Sequence, residues 1–161
     1  MKDIVITLKR DELTYSIDYL TYKVAKVHFS ESSPELAVEV ASTSSDKDYV
    51  DELISSGIEN VRNELRWCAE RRSRVAGSDG VIPACKEYDI VLRLRDDSGV
   101  DAGMLARMIH DYLVHYVAYR YLLLTTAEMA GAFASLAESD LNKVYLHVRE
   151  EGPERLPLLW K

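Results

Sequence analysis

Most of the residues and patterns that give a chain its chemistry are scarce here. There are two cysteines and four histidines in 161 residues. Cys68 and Cys85 show no CxxC spacing and have no histidine cluster beside them, which argues against a zinc site. A disulfide between them is open on sequence grounds, but two reduced thiols in or near the core is the better reading. No HExxH pair, GxxxxGKS/T loop, GxGxxG loop or EF-hand pattern occurs, so metal, phosphate and nucleotide sites all lack a sequence basis. No run approaches the roughly 20 apolar residues that span a bilayer. The longest candidate, residues 117–124, is interrupted by Arg120. At the N-terminus the apolar run stops at Leu8 and Lys9, Arg10 and Asp11 follow, unlike a signal peptide. Synthesis in the cytoplasm, with no membrane partner, is the expectation.

Positive charge is also short. Twenty Lys and Arg stand against 27 Asp and Glu, a net charge of −7. Phosphate backbones are held by basic stripes, so this balance argues against nucleic acid as a partner. The one basic run, Arg66, Arg71, Arg72 and Arg74, follows a helical pattern. It reads best as positive charge complementing a helix C-terminus.

The histidines form no catalytic or metal pattern. His110 and His115 would lie roughly 140° apart around a helix, too far to share a metal. Asp111 and His115 are four apart and can pair, but no nucleophile accompanies them; His28 and His147 are isolated. A deep pocket holding His115, Asp111 and nearby tyrosines would be needed to revive an enzymatic reading. Adjacent carboxylates such as Asp96 with Asp97 and Glu150 with Glu151 fall at element ends, where solvated charge is the rule. No catalytic residue, cofactor, metal or small-molecule substrate is expected.

What is present is a globular pattern of one-domain length. Ile4, Ile6 and Leu8 alternate as in a strand. Asp11 offers an N-cap to a helix in which Leu13, Ile17, Leu20, Val24 and Val27 form an apolar stripe, with Tyr15, Tyr19 and Tyr22 beside it. Leu36, Val38 and Val40 lie between two serine-rich breaks, as a short strand or a brief helix. Ser45 or Asp46 can cap a helix whose buried face is Val50, Leu53, Ile54, Ile58, Val61, Leu65 and Cys68. Gly57 inside it costs about 1 kcal/mol relative to Ala, a cost offset if another element packs close. Tyr88, Ile90, Leu92 and Leu94 alternate with Asp89, Val91, Arg93 and Arg95 as a second strand, one face apolar and the other largely polar. Asp101 caps a long helix whose wide buried face is expected to hold Met104, Leu105, Met108, Ile109, Tyr112, Leu113, Tyr116, Val117 and, at its end, Leu124. Tyr119, Tyr121, Leu122 and Leu123 make it apolar nearly all round, the mark of a central or partner-facing helix. Thr125 and Glu128 have capping-box spacing and open a final helix with Met129, Phe133, Leu136, Val144 and Val148 inward. Gly152 and Pro153 stop it.

The expected architecture is therefore a helix-rich α+β domain over residues 1–152, with three or four helices on a two- or three-stranded sheet. Residues 153–161 form an extended apolar tail, where Pro153 and Pro157 prevent helix continuation. Leu156, Leu158, Leu159 and Trp160 would be a liability if exposed on a monomer, so the tail either folds back onto its own helices or docks on another chain; docking is the favoured reading and makes these candidate docking residues. Tyr119 joins them, because the chain has ten Tyr against two Phe and tyrosine is enriched at interfaces. A core whose rims reach water accounts for the tyrosines equally well.

The opening Lys2-Asp3-Ile4-Val5-Ile6-Thr7-Leu8-Lys9-Arg10-Asp11-Glu12-Leu13, the strand Glu87–Leu94 and residues 109–114 together resemble small proteins of tailed-phage and prophage structural gene clusters. In that group a short strand leads into a helical segment, and a later strand precedes a long helix. The resemblance implies a non-enzymatic virion assembly subunit at the head-tail joint or in the tail. Its partners would be copies of itself and other virion proteins, and it would be incorporated in the particle. The Leu-rich, Trp-ended tail is a departure. An adaptor or regulatory domain binding a non-structural host or phage protein is the alternative, and an enzyme with an unrecognised site ranks last.

Overall fold

The alternation over residues 4–8 becomes strand β1 (Lys2–Lys9), which pairs antiparallel with β2 (Glu87–Leu94). The structure, a computed structural model, describes residues 1–29, 35, 46–69 and 86–151. The possible strand at Leu36, Val38 and Val40 and the tail 153–161 lie outside these residues. Among the described residues four helices surround the two strands: α1 (Arg10–Phe29), α2 (Lys47–Glu64), α3 (Ala102–Thr125) and α4 (Ala127–Glu151). The chain is a helix-rich α+β protein.

Register follows from burial. Ile4 faces Leu92, Ile6 faces Ile90 and Leu8 faces Tyr88, and all six side chains are buried on the inner face. A slip of one residue would turn all of them to the other face. That outer face carries cross-strand polar pairs: Thr7 Oγ1 donates to Asp89 at 2.7 Å and Arg93 Nε to Asp3 at 3.2 Å. Val91 departs from the expected polar face, being buried opposite an exposed Val5. The second edge of β2 is also engaged. Arg93 N donates to the Cys68 carbonyl at 2.8 Å, and the Arg62 guanidinium donates to the Asp89 carbonyl at 2.8 Å.

Helix α1 begins directly at the end of β1. Asp11 therefore does not cap it but lies in its first turn with Glu12, where negative charge suits the macrodipole. Its buried residues are Leu13, Ile17, Thr21 and Ala25 at strict four-residue spacing. Leu20 and Val24 are half-buried, but Val27 is 78% exposed. The expected stripe drifts off the core in the last turns because core contact follows the 13-17-21-25 line. Thr21 tolerates burial by donating its hydroxyl to the Ile17 carbonyl at 3.0 Å.

Helix α2 buries the expected face, with Leu65 and Cys68 buried in the turn just past its end. Asp46 makes no capping bond. Its carboxylate accepts instead from the Tyr121 hydroxyl at 3.0 Å. Gly57 is where α2 meets α3: a β-carbon there would sit 2.6 Å from Leu113 Cδ2. Arg10 and Asp51 lock α1 to α2 in a bidentate ion pair, with Arg10 Nε 2.7 Å from Asp51 Oδ1 and Arg10 Nη2 on Oδ2. Asp51 is only 2% exposed, so the pair supplies the compensation a buried carboxylate needs.

Helix α3 is central, as its nearly all-round apolarity predicts. It packs against β1, α1, α2 and α4, but Met104 and Leu124, expected on its buried face, are 54% and 72% exposed because they lie in its first and last turns. Asp101 caps it, accepting from Met104 N at 2.6 Å. Thr126 alone separates α3 from α4, so the two helices fold back as a hairpin with the most extensive helix–helix packing among the described residues. The capping box expected at Thr125 and Glu128 does not form, because Thr125 is still helical and its hydroxyl donates to the Tyr121 carbonyl at 3.4 Å. The inner seam of α4 is Ala130, Ala137, Asp140, Val144 and Val148. Val144 and Val148 were expected there, and Met129 and Phe133 are half-buried near it. Leu136 is instead 44% exposed. The two alanines of the seam, Ala130 and Ala137, let the backbones approach at their turns.

Candidate docking surface

The tyrosines separate by helix. On α3 they are internal. Tyr112 and Tyr121 are buried and Tyr116 is half-buried, and each tip is tethered to α2 or the residue before it. Tyr112 Oη accepts from Asn60 at 3.3 Å, Tyr116 Oη lies 3.1 Å from Ser56 Oγ, and Tyr121 donates to Asp46. Burial pushes the Tyr112 hydroxyl up to about 12. The Tyr121 hydroxyl is raised by burial and then by its bond to Asp46. These rings supply core area with a satisfied polar end.

On α1 the arrangement is reversed. Tyr15, Tyr19 and Tyr22 are 73%, 54% and 42% exposed on the face turned away from the core. Tyr15 and Tyr19 stack with ring centroids 6.3 Å apart. Lys23 Nζ lies 5.3 Å from the Tyr19 centroid and Lys26 Nζ 6.0 Å from that of Tyr22, within cation–π range. The stripe is thus an ordered aromatic surface with basic edges towards the helix C-terminus. Its spacing was legible in the sequence. Its exposure was not, since that depends on which side of α1 meets α3.

Tyr119, the described member of the expected docking set, is half-buried on α3 and lies on a different helix from this stripe. Leu156, Leu158, Leu159 and Trp160 lie outside the described residues. Leu123 and Leu124 add exposed apolar surface near the hairpin turn.

Two side-chain constellations contain histidine. His115 does not pair with Asp111. Its Nδ1 lies 2.7 Å from Asp140 Oδ2 across the hairpin, and Lys143 Nζ donates to Asp140 Oδ1 at 2.7 Å. Burial raises the Asp140 carboxyl, but the bonds from Lys143 and His115 outweigh it and hold it below the ordinary range. Such a pair, 25 residues apart, carries no sequence periodicity that would reveal it. No protein-family model, curated protein or solved structure matches the chain. The second constellation is Ser16, His110 and Asp111, with Ser16 Oγ 3.3 Å from His110 Nε2 and Asp111 3.7 Å from Nδ1. The order of atoms mimics a hydrolase triad, but Ser16 sits inside a helix and donates to the Glu12 carbonyl at 2.9 Å. Backbone N–H groups in a helix interior are already bonded, so nothing there makes an oxyanion hole.

An open cleft of about 530 Å³ lies between the end of α2 and α4, lined by Asn60, Asn63, Glu64, Arg66, Trp67, Leu141 and Tyr145. Neither His115 nor Asp111 lines it, and its walls are mainly polar, unlike the apolar enclosure of most small-molecule sites. Arg66 is the one member of the expected basic run within the described residues. Among the described residues no three His, Cys, Asp or Glu side chains converge as a metal site, and no helix is long and apolar enough to cross a membrane.

Proposed function

We propose that this chain is a non-enzymatic packing subunit that works by docking against other proteins. The observation that carries the reading is the ordered, exposed stripe of Tyr15, Tyr19 and Tyr22 on a helix whose opposite face is fully committed to the core. Tyrosine buries large area at low conformational cost and keeps a polar tip, which suits a surface that is alternately wet and covered. The setting we favour is a phage or prophage particle, at the head-tail joint or in the tail, on the strength of the resemblance in residues 2–13, 87–94 and 109–114. The tail residues Leu156, Leu158, Leu159 and Trp160 would be a second docking element.

The test is composition of the particle. Virions purified from an induced culture and digested for mass spectrometry should yield peptides of this chain in fixed ratio to the other particle proteins. Their absence from particles, with recovery of the chain in a defined complex with one non-structural protein, would establish the adaptor reading instead. That second reading uses the same tyrosine surface and differs only in what covers it.

A further inference from the structure

Five residues of α1 follow at spacings of three, four, three and four: Glu12, Tyr15, Tyr19, Tyr22 and Lys26. This is the spacing of a helix–helix seam, on which successive residues face a partner helix along one line. All five are exposed. The seam has an internal symmetry. Tyr19 is its midpoint, tyrosines flank it, and the ends carry opposite charges, with Glu12 in the acidic first turn and Lys26 in the basic last turn. A helix of 20 residues is about 30 Å long, enough for all five positions to engage at once.

We propose that α1 pairs with α1 of a second copy of this chain, antiparallel, about a two-fold axis through Tyr19. In that register Glu12 of each copy meets Lys26 of the other, and Tyr15 lies beside Lys23 of the other. Parallel pairing would set Glu12 against Glu12 and Lys26 against Lys26, so the charges select the antiparallel sense. A two-fold contact is self-complementary and closes, which yields a dimer rather than a filament. Lys9 holds Glu12 at 3.0 Å within one copy, but both are well exposed and the pair is free to exchange partners. The inference rests on the docking reading above and names one occupant of the stripe.

Sedimentation equilibrium on the full chain, from about 1 μM to about 1 mM, tests it. The expected result is a reversible monomer–dimer equilibrium. Glu12→Lys and Lys26→Glu should each weaken the dimer about tenfold or more, and the double exchange should restore it. Circular dichroism of each variant checks that α1 is retained. Tyr19→Glu, which places two carboxylates on the axis, should abolish the dimer without touching the core. A wild-type chain that stays monomeric throughout overturns the pairing. So does an oligomer indifferent to all four variants, although that outcome leaves the docking reading standing on another surface. A charge-sensitive dimer absent from particles would support the pairing and remove the virion setting.

Discussion

His115 Nδ1 and Asp140 Oδ2 are 2.7 Å apart on the facing helices of one hairpin, and Lys143 closes on the other carboxylate oxygen. The lowered Asp140 pKa means that the folded state favours the ionised carboxylate. Its contribution is fully present above the unfolded value near 3.8 and is lost as pH falls through the lower folded value. Asp140→Asn should therefore cost about 1–3 kcal/mol at neutral pH and flatten the acid limb of stability. Urea melts at several pH values read this directly. An unchanged acid limb would show that the contact contributes nothing.

Gly57→Ala should destabilise the protein even though alanine is the better helix former. The 2.6 Å approach to Leu113 Cδ2 and 3.0 Å to Tyr116 Cδ1 require the neighbours to move, and Leu113 is fully buried. Overpacking of this kind costs about 1–3 kcal/mol, against about 1 kcal/mol regained in propensity. A double-mutant cycle with Leu113→Ala should be strongly non-additive, since the smaller side chain makes room. Additive effects would falsify the close contact.

Asp51→Ala leaves the Arg10 guanidinium without its partner beside α2. The expected loss is about 3 kcal/mol, at the low end for a broken buried pair because Arg10 keeps some access to water. Replacing both, Arg10→Met with Asp51→Leu, should recover much of it, since no unpaired charge remains. Chemical denaturation of the two variants beside the wild type distinguishes a structural ion pair from a dispensable one.

Burial pushes the Cys68 thiol up to about 12. Only the thiolate alkylates readily, so Cys68 should resist iodoacetamide at mildly alkaline pH in the folded protein and react on addition of urea. Peptide mapping after timed quenching follows this residue alone. Rapid labelling of Cys68 under native conditions would contradict the described burial.

The elements that sequence revealed are those with one dominant period. Ile4, Ile6 and Leu8 against Ile90, Leu92 and Leu94 alternate because one sheet face is dry. The α2 face from Val50 to Val61 is apolar because it has one neighbour side. Gly57 could be read as a contact point because a glycine there has an intrinsic cost that packing must offset. Sequence misled where size mattered more than hydrophobicity. Leu136 is more apolar than Ala137, yet the tight hairpin seam takes the alanine. Val27 continues the α1 stripe by spacing but lies beyond the core line that ends at Ala25. The His115 and Asp140 contact depends on the one-residue joint at Thr126, which no local pattern specifies. The exposed tyrosines of α1 and the tethered tyrosines of α3 are the same residue type at similar spacing, and only the positions of their helices tell them apart.

The pairing of β1 with β2 also has a consequence in time. The first strand is complete at Lys9 and its partner does not begin until Glu87. During synthesis at ordinary rates the apolar edge of Ile4, Ile6 and Leu8 waits on the order of ten seconds before it can pair. Helix α1 can form in that interval, but the sheet cannot, and the central helix α3 that covers it comes later still. Nascent chains halted before Glu87 should accordingly be chaperone substrates, and chains released after α3 should not. The domain closes from its far end rather than growing outward from its first strand.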